Sequence, residues 1–310
     1  MRIVVTGGAG FIGSHLAEEL VREGHDVLVY DNLSTGNEAY LKSVKNKIKL
    51  VKGDIIDVGQ LKKACDGAEA LFHLAALKSV PASIQNPIAY FETNITGTFN
   101  VLEAARLNGT KKVVFASSSS VYGEKPKIPQ KEGKEDVRIS PYGISKYAGE
   151  DLCGYFNKLY GMQTVALRYF NVFGPRQDPV SQYAAVIPKF ILCLLKDEQP
   201  PVYGAGAQTR DFTYVKDVVA ANLCALKNKN ASGVFNIAPG SPISVNVLAQ
   251  KIAHLLGKQI IPKYFPQRSG DILHSYADIT KAKLKLGLQP FTPFDEALAK
   301  TIDWFKLYNS

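Results

Sequence analysis

Residues 3–13 read IVVTGGAGFIG, an apolar run that leads directly into a glycine-rich turn, and an amphipathic stretch follows. A strand, a G-x-x-G-x-x-G turn and a helix in this order bring backbone amides and a helix N-terminus against a bound pyrophosphate. We therefore predict a dinucleotide site, with an ordinary glycine-rich turn as the alternative. The expected contacts are Gly7, Gly10, Phe11, Ile12 and Gly13.

The rest of the chain extends this pattern over about 170 residues. Strand-like apolar runs alternate with amphipathic stretches, which is typical of a parallel sheet covered by helices on both faces. The predicted strands are 3–6, 26–30, 48–52, 70–73, 112–116 and 164–168, and the predicted helices are 11–23, 60–65, 88–107 and 141–160. After about Asn171 the alternation weakens, and Pro and Gly cluster.

These patterns predict an α/β fold with two domains. Residues 1–170 form a Rossmann-type, doubly wound parallel sheet, with a return segment near 211–238. Residues 171–310 form a smaller, mixed, substrate-binding domain. A ligand would lie between them, outside the carboxyl ends of the strands.

Composition excludes several functional classes. The 310 residues are 46% hydrophobic and 21% charged, which is ordinary for a globular protein, and the apolar runs are too short to span a membrane. We expect a cytoplasmic protein, because the N-terminus has no secretory signal pattern. The net charge of +9 comes from basic residues mixed with acidic ones, so we do not expect nucleic-acid binding. The spacing of the four Cys and five His residues predicts neither a metal site nor a disulfide framework.

Two aspartates extend the predicted dinucleotide site. Asp31 ends the second predicted strand, where a carboxylate accepts hydrogen bonds from both ribose hydroxyls and repels a 2′-phosphate, so NAD is favoured over NADP. Asp54 follows the third strand and is positioned to reach the adenine, although a simple turn aspartate after Gly53 fits the spacing equally well.

The candidate reactive centre is a Tyr/Lys pair. Tyr142 and Lys146 share one face of a helix for which Ser140 is the expected N-cap and Pro141 the first residue. A nearby ammonium group favours the phenolate, which could then remove a proton from a substrate hydroxyl as hydride leaves the same carbon. The serines at 117–120 end the fifth strand, where a hydroxyl could hold the developing carbonyl oxygen.

Several motifs together resemble one known family. The chain resembles an extended short-chain dehydrogenase/reductase, and within that superfamily it resembles the UDP-sugar 4-epimerases. The likeness covers nearly the whole chain. The motifs are GGAGFIG at 7–13, DNLSTG at 31–36, HLAA at 73–76, SSSSVYG at 117–123, SPYGISK at 140–146, RYFNVFGP at 168–175, RDF at 210–212 and RSGD at 268–271.

The resemblance assigns roles to residues by position. It implies that Ser118 is the catalytic serine beside Tyr142 and Lys146, with Ser120 as a possible helper. The cofactor contacts it implies, beyond the glycine turn, Asp31, Asp54, Tyr142 and Lys146, are Asn32, Ile55, Leu74, Ala75, Lys78, Asn94 and Tyr169. The substrate contacts it implies, beyond Lys78, Ser118, Ser120 and Tyr142, are Asn171, Val186, Tyr203, Arg210, Arg268, Asp271 and Ser275. For each arginine alone, a surface ion pair is the alternative.

The resemblance leaves a choice among reactions. The superfamily's 4,6-dehydratases carry an acidic pair where Ser119 and Ser120 stand, and its decarboxylases carry a Glu at the position of Ser120. We therefore expect an NAD-dependent UDP-hexose 4-epimerase that oxidises and reduces one carbon. A dehydratase or decarboxylase of the same family and a non-catalytic NAD-sensing regulator are the alternatives.

Two further expectations concern specificity and assembly. Ser275 occupies a position where a small residue is associated with N-acetyl sugars, so UDP-GlcNAc and UDP-GalNAc are expected substrates, with UDP-Glc and UDP-Gal also accepted. The amphipathic stretches 88–107 and 141–160 resemble the helices through which family members pair, which predicts a homodimer. Periodicity alone also permits simple core helices.

Overall fold

The structure is a computed structural model, which describes residues 1–124, 126–179, 185–267, 272–288 and 291–308. Its strands are β1 (Arg2–Thr6), β2 (Asp26–Asp31), β3 (Ile48–Lys52), β4 (Ala70–His73), β5 (Lys112–Ser118), β6 (Gln163–Tyr169), β7 (Val172–Phe173), β8 (Pro201–Tyr203), β9 (Thr209–Arg210), β10 (Thr213–Tyr214), β11 (Gly233–Ile237), β12 (Ile243–Ser244), β13 (Lys263–Phe265) and β14 (His274–Ser275).

The α-helices are α1 (Phe11–Arg22), α2 (Val58–Ala64), α3 (Val80–Gln85), α4 (Pro87–Phe91), α5 (Gly97–Leu107), α6 (Pro141–Tyr160), α7 (Val186–Leu195), α8 (Val215–Lys227), α9 (Val245–Leu256), α10 (Thr280–Leu286) and α11 (Phe294–Tyr308). Segments Glu38–Lys47 and Ser119–Tyr122 are 3₁₀-helical, and Glu92–Thr96 is a π-helical turn.

The main sheet has seven strands in the described residues, in the order β11-β6-β5-β4-β1-β2-β3, and every pair is parallel. The order reverses at β1, which is the topological switch point of a Rossmann-type fold. This arrangement confirms the predicted fold class. The predicted strands are confirmed, and β11 in the expected return segment adds to the edge beside β6.

Both faces of this sheet are buried. Ile3 and Val5 of β1 pack into one apolar cluster with α1 and α8, whereas Val4 packs into another with α2 and α5. Because side chains alternate across a strand, a nearly continuous apolar run is what two covered faces require. The carboxyl ends of the strands therefore provide the exposed edge at which polar residues meet.

The C-terminal part has its own apolar core, formed largely by α7, α9 and α11. Its small sheets join β10 with β7, β12 with β9 and β14, and β13 with β8, and they include both parallel and antiparallel pairs. The mixed character agrees with the expectation for this region, while the division at residue 170 stays a prediction.

One predicted helix is interrupted. The sequence predicts a single helix over 88–107, but in the structure α4 ends at Phe91 and a π-helical turn precedes α5. Asn94 lies in this turn, with its side chain buried. A periodic pattern does not reveal one extra residue in a turn, and π turns often occur at functional sites.

Candidate active site

The glycine turn after β1 is packed too closely for side chains. A Cβ atom at Gly7 would lie 2.5 Å from the Ala75 backbone nitrogen, and one at Gly13 would lie 2.1 Å from the Gly7 carbonyl oxygen. Gly10 is the N-cap of α1 and gives it no side-chain hydrogen bond, so the first amides of the helix have no capping group. This geometry suits a pyrophosphate, whose oxygens accept hydrogen bonds from such amides.

Asp31 is held at the end of β2 by the backbone. Its carboxylate accepts hydrogen bonds from the Ala9 nitrogen at 2.9 Å and the Leu33 nitrogen at 2.8 Å. Asn32 donates to Asp54 Oδ2 at 2.8 Å, which joins the loops after β2 and β3. The two predicted aspartates therefore lie on neighbouring loops, where one nucleoside could contact both.

A cavity of about 540 Å³ runs along the carboxyl ends of the strands, and we call it the sheet-edge cavity. It brings together most of the residues predicted for the cofactor and the reactive centre. Those that line it are Gly7, Gly10, Phe11, Ile12, Gly13, Asp31, Asn32, Asp54, Ile55, Leu74, Ala75, Lys78, Ser118, Ser120, Tyr142, Lys146, Tyr169 and Asn171.

Asn94 lies behind this lining rather than in it. Its Oδ1 accepts a hydrogen bond from the Leu77 nitrogen at 2.8 Å, and its Nδ2 donates to the Leu77 carbonyl at 3.0 Å and to Ser145 Oγ at 3.1 Å. Tyr90 donates to the Lys78 carbonyl at 2.5 Å. The amide of Asn94 thus fixes the segment that carries Lys78 against α6.

Tyr142, Ser118 and Lys146 converge beside the end of β5. Burial raises the pKa of the Tyr142 phenol above its ordinary value, and a hydrogen bond with Ser118 acts in the opposite direction. Lys146 donates to the Ala116 carbonyl at 2.9 Å, and burial lowers its pKa to about 8. At neutral pH the phenol is therefore protonated and the ammonium is charged, so ionising Tyr142 requires further positive charge beside it.

The lining near Tyr142 differs in charge from the opposite end of the cavity. The carboxylates in the described lining are Asp31 and Asp54, which follow β2 and β3 at the far side of the switch point from β5. Ser119 and Ser120 also line the cavity, next to Ser118. The described lining beside the phenol thus offers hydroxyl groups and an ammonium group.

A second cavity of about 270 Å³ opens beside the first, and we call it the C-terminal cavity. Of the predicted substrate residues, Asn171, Val186, Tyr203 and Arg210 line it, and Asn171 also lines the sheet-edge cavity. The Arg210 guanidinium donates to the Thr209 carbonyl at 2.9 Å. Arg268 and Asp271 lie outside the described residues.

Ser275 is buried beside Gln130, and neither cavity includes it among its described lining residues. Its hydroxyl donates to Gln130 Oε1 at 3.1 Å. Its backbone lies in β14 opposite Arg210 of β9, which does line the C-terminal cavity. Ser275, the predicted specificity position, therefore lies next to Arg210, and Arg210 lines the C-terminal cavity.

Gln177 was not predicted from the sequence, and it lies where the two cavities meet. Its Nε2 donates to the Val172 carbonyl at 2.9 Å, which fixes the orientation of the amide, while Oε1 is buried and has no partner among the described residues. An acceptor left in this way is available to a hydroxyl or N–H group of a bound molecule.

Other lining residues were also missed. Tyr30, Ser34, Thr35, Gly53, Ala76, Leu77, Thr93, Ala116 and Val172 line the sheet-edge cavity. Most of them are neighbours of predicted residues at strand ends, and that position is the signal that could have identified them.

The described residues hold neither a membrane-spanning helix nor a cluster of metal ligands. In residues 1–124 and the other described ranges, no helix is long and apolar enough to cross a bilayer. The same ranges contain no group of three or more His, Cys, Asp or Glu side chains arranged to hold a metal ion.

Comparison with known proteins relates this site to others. The model of the NAD dependent epimerase/dehydratase family matches residues 3–238. A putative UDP-glucose 4-epimerase of Methanocaldococcus jannaschii is 41% identical over 309 residues, with 99% of each chain covered. A UDP-N-acetyl-alpha-D-glucosaminuronate decarboxylase of Bacillus cytotoxicus is 38% identical, with 98% of each covered. The solved UDP-N-acetylglucosamine 4-epimerase of Methanobrevibacter ruminantium, in complex with UDP-N-acetylmuramic acid, matches with a TM-score of 0.95 and 42% identity over 99% of this chain and 98% of that one.

Proposed function

The chain belongs to the NAD dependent epimerase/dehydratase family, and from that membership we propose that it is a UDP-hexose 4-epimerase that keeps its NAD bound. One observation carries the choice of reaction. Tyr142, Ser118 and Lys146 converge beside β5, and the carboxylates of the described lining lie at the other end of the cavity. A site so equipped can oxidise and reduce one carbon, whereas dehydration needs further acid and base groups.

The residues act on the hydroxyl group at C4 of the sugar. Tyr142 takes the hydroxyl proton, and Ser118 donates a hydrogen bond to the oxygen as it becomes a carbonyl. NAD, held by the glycine turn and Asp31, would supply a reversible hydride acceptor for C4 and a positive charge beside the phenol. After the 4-keto sugar turns over in the site, Tyr142 returns the proton to the oxygen at C4. One hydride and one proton leave and return, so no net oxidation occurs.

The residues at the β1 end of the cavity fit NAD. The uncapped amides of α1 and the closely packed glycine turn suit its pyrophosphate, and the Asp31 carboxylate suits the two hydroxyls of an unphosphorylated ribose. A 2′-phosphate at the same place would meet the negative charge of Asp31. These features support NAD rather than NADP.

The C-terminal cavity supports a nucleotide-sugar substrate. Asn171, Val172 and Gln177 line both cavities, which supports one molecule that extends from Tyr142 to Arg210, whose guanidinium suits a diphosphate. We propose UDP-GlcNAc and UDP-GalNAc as substrates, with UDP-Glc and UDP-Gal also accepted. The small side chain of Ser275 supports the N-acetyl sugars, and Arg268 and Asp271 are further proposed contacts.

A decarboxylase is the second candidate, because a relative of that name is 38% identical to this chain. Ser120 opposes it, since the resemblance associates decarboxylases with a Glu at that position. This chain has Ser119 and Ser120 at the positions where the resemblance associates dehydratases with an acidic pair. A non-catalytic NAD sensor would not require the Tyr142/Lys146 pair, which is intact in this chain. The decarboxylase is therefore kept as the second candidate.

The experiment is to incubate the purified protein with UDP-Glc, UDP-Gal, UDP-GlcNAc, UDP-GalNAc and UDP-glucuronate, separate the products and record absorbance at the NADH band. We expect interconversion of C4 epimers without net NADH. Release of CO₂ from UDP-glucuronate without epimerisation would select the decarboxylase. NADH formed in proportion to turnover, or no reaction with any of the five, contradicts the proposal.

We also propose a homodimer and, from the sequence alone, a cytoplasmic location. The helices α4 and α5 pack on α6 and leave large apolar side chains exposed, including Ile88 at 77% and Leu159 at 59%. Such a face is typical of a subunit interface. Sedimentation at micromolar concentration should give a dimer, and Ile88→Glu should shift it to monomer. A monomeric wild-type chain contradicts this part of the proposal.

A further inference from the structure

Glu150 lies one helical turn after Lys146 on α6, and its carboxylate is buried between the helix and the sheet. Ser117 donates to Glu150 Oε1 at 2.5 Å, and Arg168 Nε donates to the same oxygen at 2.8 Å. The Arg168 Nη2 atom donates to Oε2 at 2.6 Å, and the Glu150 side chain is 4% exposed. One carboxylate therefore joins α6 to the ends of two neighbouring strands.

The contacts of Glu150 continue those of the reactive residues. Positions 142, 146 and 150 are four apart and share one face of α6. Along this face Tyr142 bonds with Ser118, Lys146 donates to the Ala116 carbonyl, and Glu150 accepts from Ser117. Three consecutive residues of β5 are thus each attached to the helix that carries the reactive pair.

The same carboxylate fixes the strand next to β5. Ser117 is the register partner of Arg168, and Ser118 is the partner of Tyr169, which lines the sheet-edge cavity. The second carboxylate on Arg168 comes from Glu135, outside α6 and β5. Glu150 and Glu135 therefore share Arg168, but of the two it is Glu150 that bonds with Ser117.

Glu150 also provides the negative charge near Lys146. The titratable groups that act on Lys146 or face it from the packed elements are Tyr142, Glu150 and Cys153 on α6 and His73 on β4. Burial raises the pKa of the Cys153 thiol and lowers the pKa of His73 to about 3, so both are neutral at neutral pH. The Glu150 carboxylate, which is paired with Arg168, is left to favour the charged form of Lys146.

We propose that Glu150 is a positioning residue of this active site, where its carboxylate holds Ser117 and Arg168 against α6 and keeps Tyr142, Lys146 and Ser118 in register. The inference rests on the proposed catalytic role of that trio. It adds a structural group that touches neither substrate nor cofactor and acts through the residues that do.

The test uses the holoenzyme with Glu150→Gln and the matched control Glu135→Gln, which removes the other carboxylate on Arg168. Glu150→Gln should lower kcat by about 10-fold to 100-fold through misplacement of the reacting groups, with KM for the UDP-sugar little changed. Its loss of activity at alkaline pH should move to lower pH by about one unit, because Lys146 loses its negative partner. Glu135→Gln should keep the wild-type pH profile. An equal shift in both variants, or none in either, overturns the proposal.

A second variant covers the case in which Glu150→Gln does not fold. Ser117→Ala removes one hydroxyl and leaves the Glu150 charge, so kcat should fall by about fivefold with the pH profile unchanged. Full activity in Ser117→Ala overturns the proposal.

A further readout is independent of turnover. The titration of Lys146 can be followed by ¹³C NMR, with Lys146→Met to assign the signal. If wild-type protein epimerises no sugar, the proposed function fails, and this titration still decides whether Glu150 controls the charge of Lys146. An unchanged Lys146 titration in Glu150→Gln counts against the inference even if the wild type is an epimerase.

Discussion

The glycine turn after β1 and the C-terminal cavity are both binding regions, but they are built in different ways. At Gly7 and Gly13, an added Cβ would meet backbone atoms at 2.5 Å and 2.1 Å, so the shape of this region is set by contacts between main chains. The C-terminal cavity lies among strands of two or three residues, and side chains such as Tyr203 and Arg210 form its walls. Main-chain packing tolerates no added atom, whereas side-chain walls can change in size while the fold persists. The first region therefore suits an invariant cofactor, and the second suits adjustable specificity.

The largest expected effect comes from Tyr142, which lines the sheet-edge cavity beside the end of β5. Tyr142→Phe removes the proton acceptor and leaves the walls of both cavities in place. We expect kcat to fall by about 10²-fold to 10⁴-fold for every accepted UDP-sugar, with bound NAD retained. The measurement is initial rate by product separation, together with the nucleotide content of the purified protein.

Tyr147→Phe is the matched control for this variant, because Tyr147 is on the same helix but stacks on Arg138 away from the sheet-edge cavity. It should keep its activity within about twofold, as expected of a substitution that leaves the reacting groups in place. An undiminished rate in Tyr142→Phe would remove the basis of the proposed function.

The next effect concerns the contact between α1, which follows the glycine turn, and the segment at Pro175. We call this contact the joint between the two regions. His15 on α1 bonds the Pro175 carbonyl at 2.9 Å, and burial lowers its pKa from 6.5 to about 4. The His15 imidazole binds a proton less readily in the native protein than in the unfolded chain. Stability from this group is therefore fully present above pH 6.5 and is lost as the pH falls towards 4, by up to about 3 kcal/mol.

His15→Gln tests this joint, because glutamine can donate to the same carbonyl and does not titrate. The difference in melting temperature between pH 7.5 and pH 5 should be smaller in the variant than in the wild type. His73, with a pKa lowered to about 3, keeps part of the acid sensitivity in both proteins. An identical pH dependence in the variant would show that His15 does not link the two regions in this way.

Substitutions in the glycine turn test directly whether close main-chain packing shapes this region. Gly13→Ala forces backbone atoms of Gly7 and Gly8 apart, which should cost about 1–3 kcal/mol of stability and release the bound NAD. Gly10→Ala is the control, because its Cβ would meet only the Gly7 carbonyl at 3.2 Å among protein atoms. Thermal unfolding and the ratio of absorbance at 260 and 280 nm measure both effects. Equal stability of the two variants contradicts the close-packing argument.

The sequence predicted the sheet half well because its signals are local. The main-sheet strands before residue 170 other than β3 contain apolar runs, and α6 begins at Pro141 after the Ser140 cap as predicted, with Ser140 Oγ accepting from the Gly143 nitrogen at 3.1 Å. The Asp31 carboxylate lies at a strand end, where topology alone brings side chains together. Fold class and cofactor could be read from these features.

The features that the sequence did not predict depend on tertiary contacts. The two-residue strands β9, β12 and β14 carry no periodicity, and the π-helical turn around Asn94 leaves the apolar pattern of its helix unchanged. Gln177 Oε1 has no partner among the described residues, and the Ser117–Glu150 bond joins residues that are distant in the chain. Such groups are found only when the cavities and buried hydrogen bonds are known.

The smallest expected effect is a change of specificity at Ser275, and it sharpens the comparison because it leaves the cofactor region untouched. Ser275 is buried against Gln130, whose own backbone is held by hydrogen bonds with Tyr276 and Asp278 at 2.8 Å. A tyrosine ring at 275 has no space on the Gln130 side, so it must extend towards the cavity beside Arg210. There it should compete with the acetamido group, lowering kcat/KM for UDP-GlcNAc by about tenfold while kcat/KM for UDP-Glc is little affected.

Ser275→Ala, which removes the hydroxyl without adding volume, should leave the ratio of the kcat/KM values for the two substrates unchanged. If Ser275→Tyr turns over N-acetyl sugars as well as the wild type does, the side-chain wall at this position does not select the sugar.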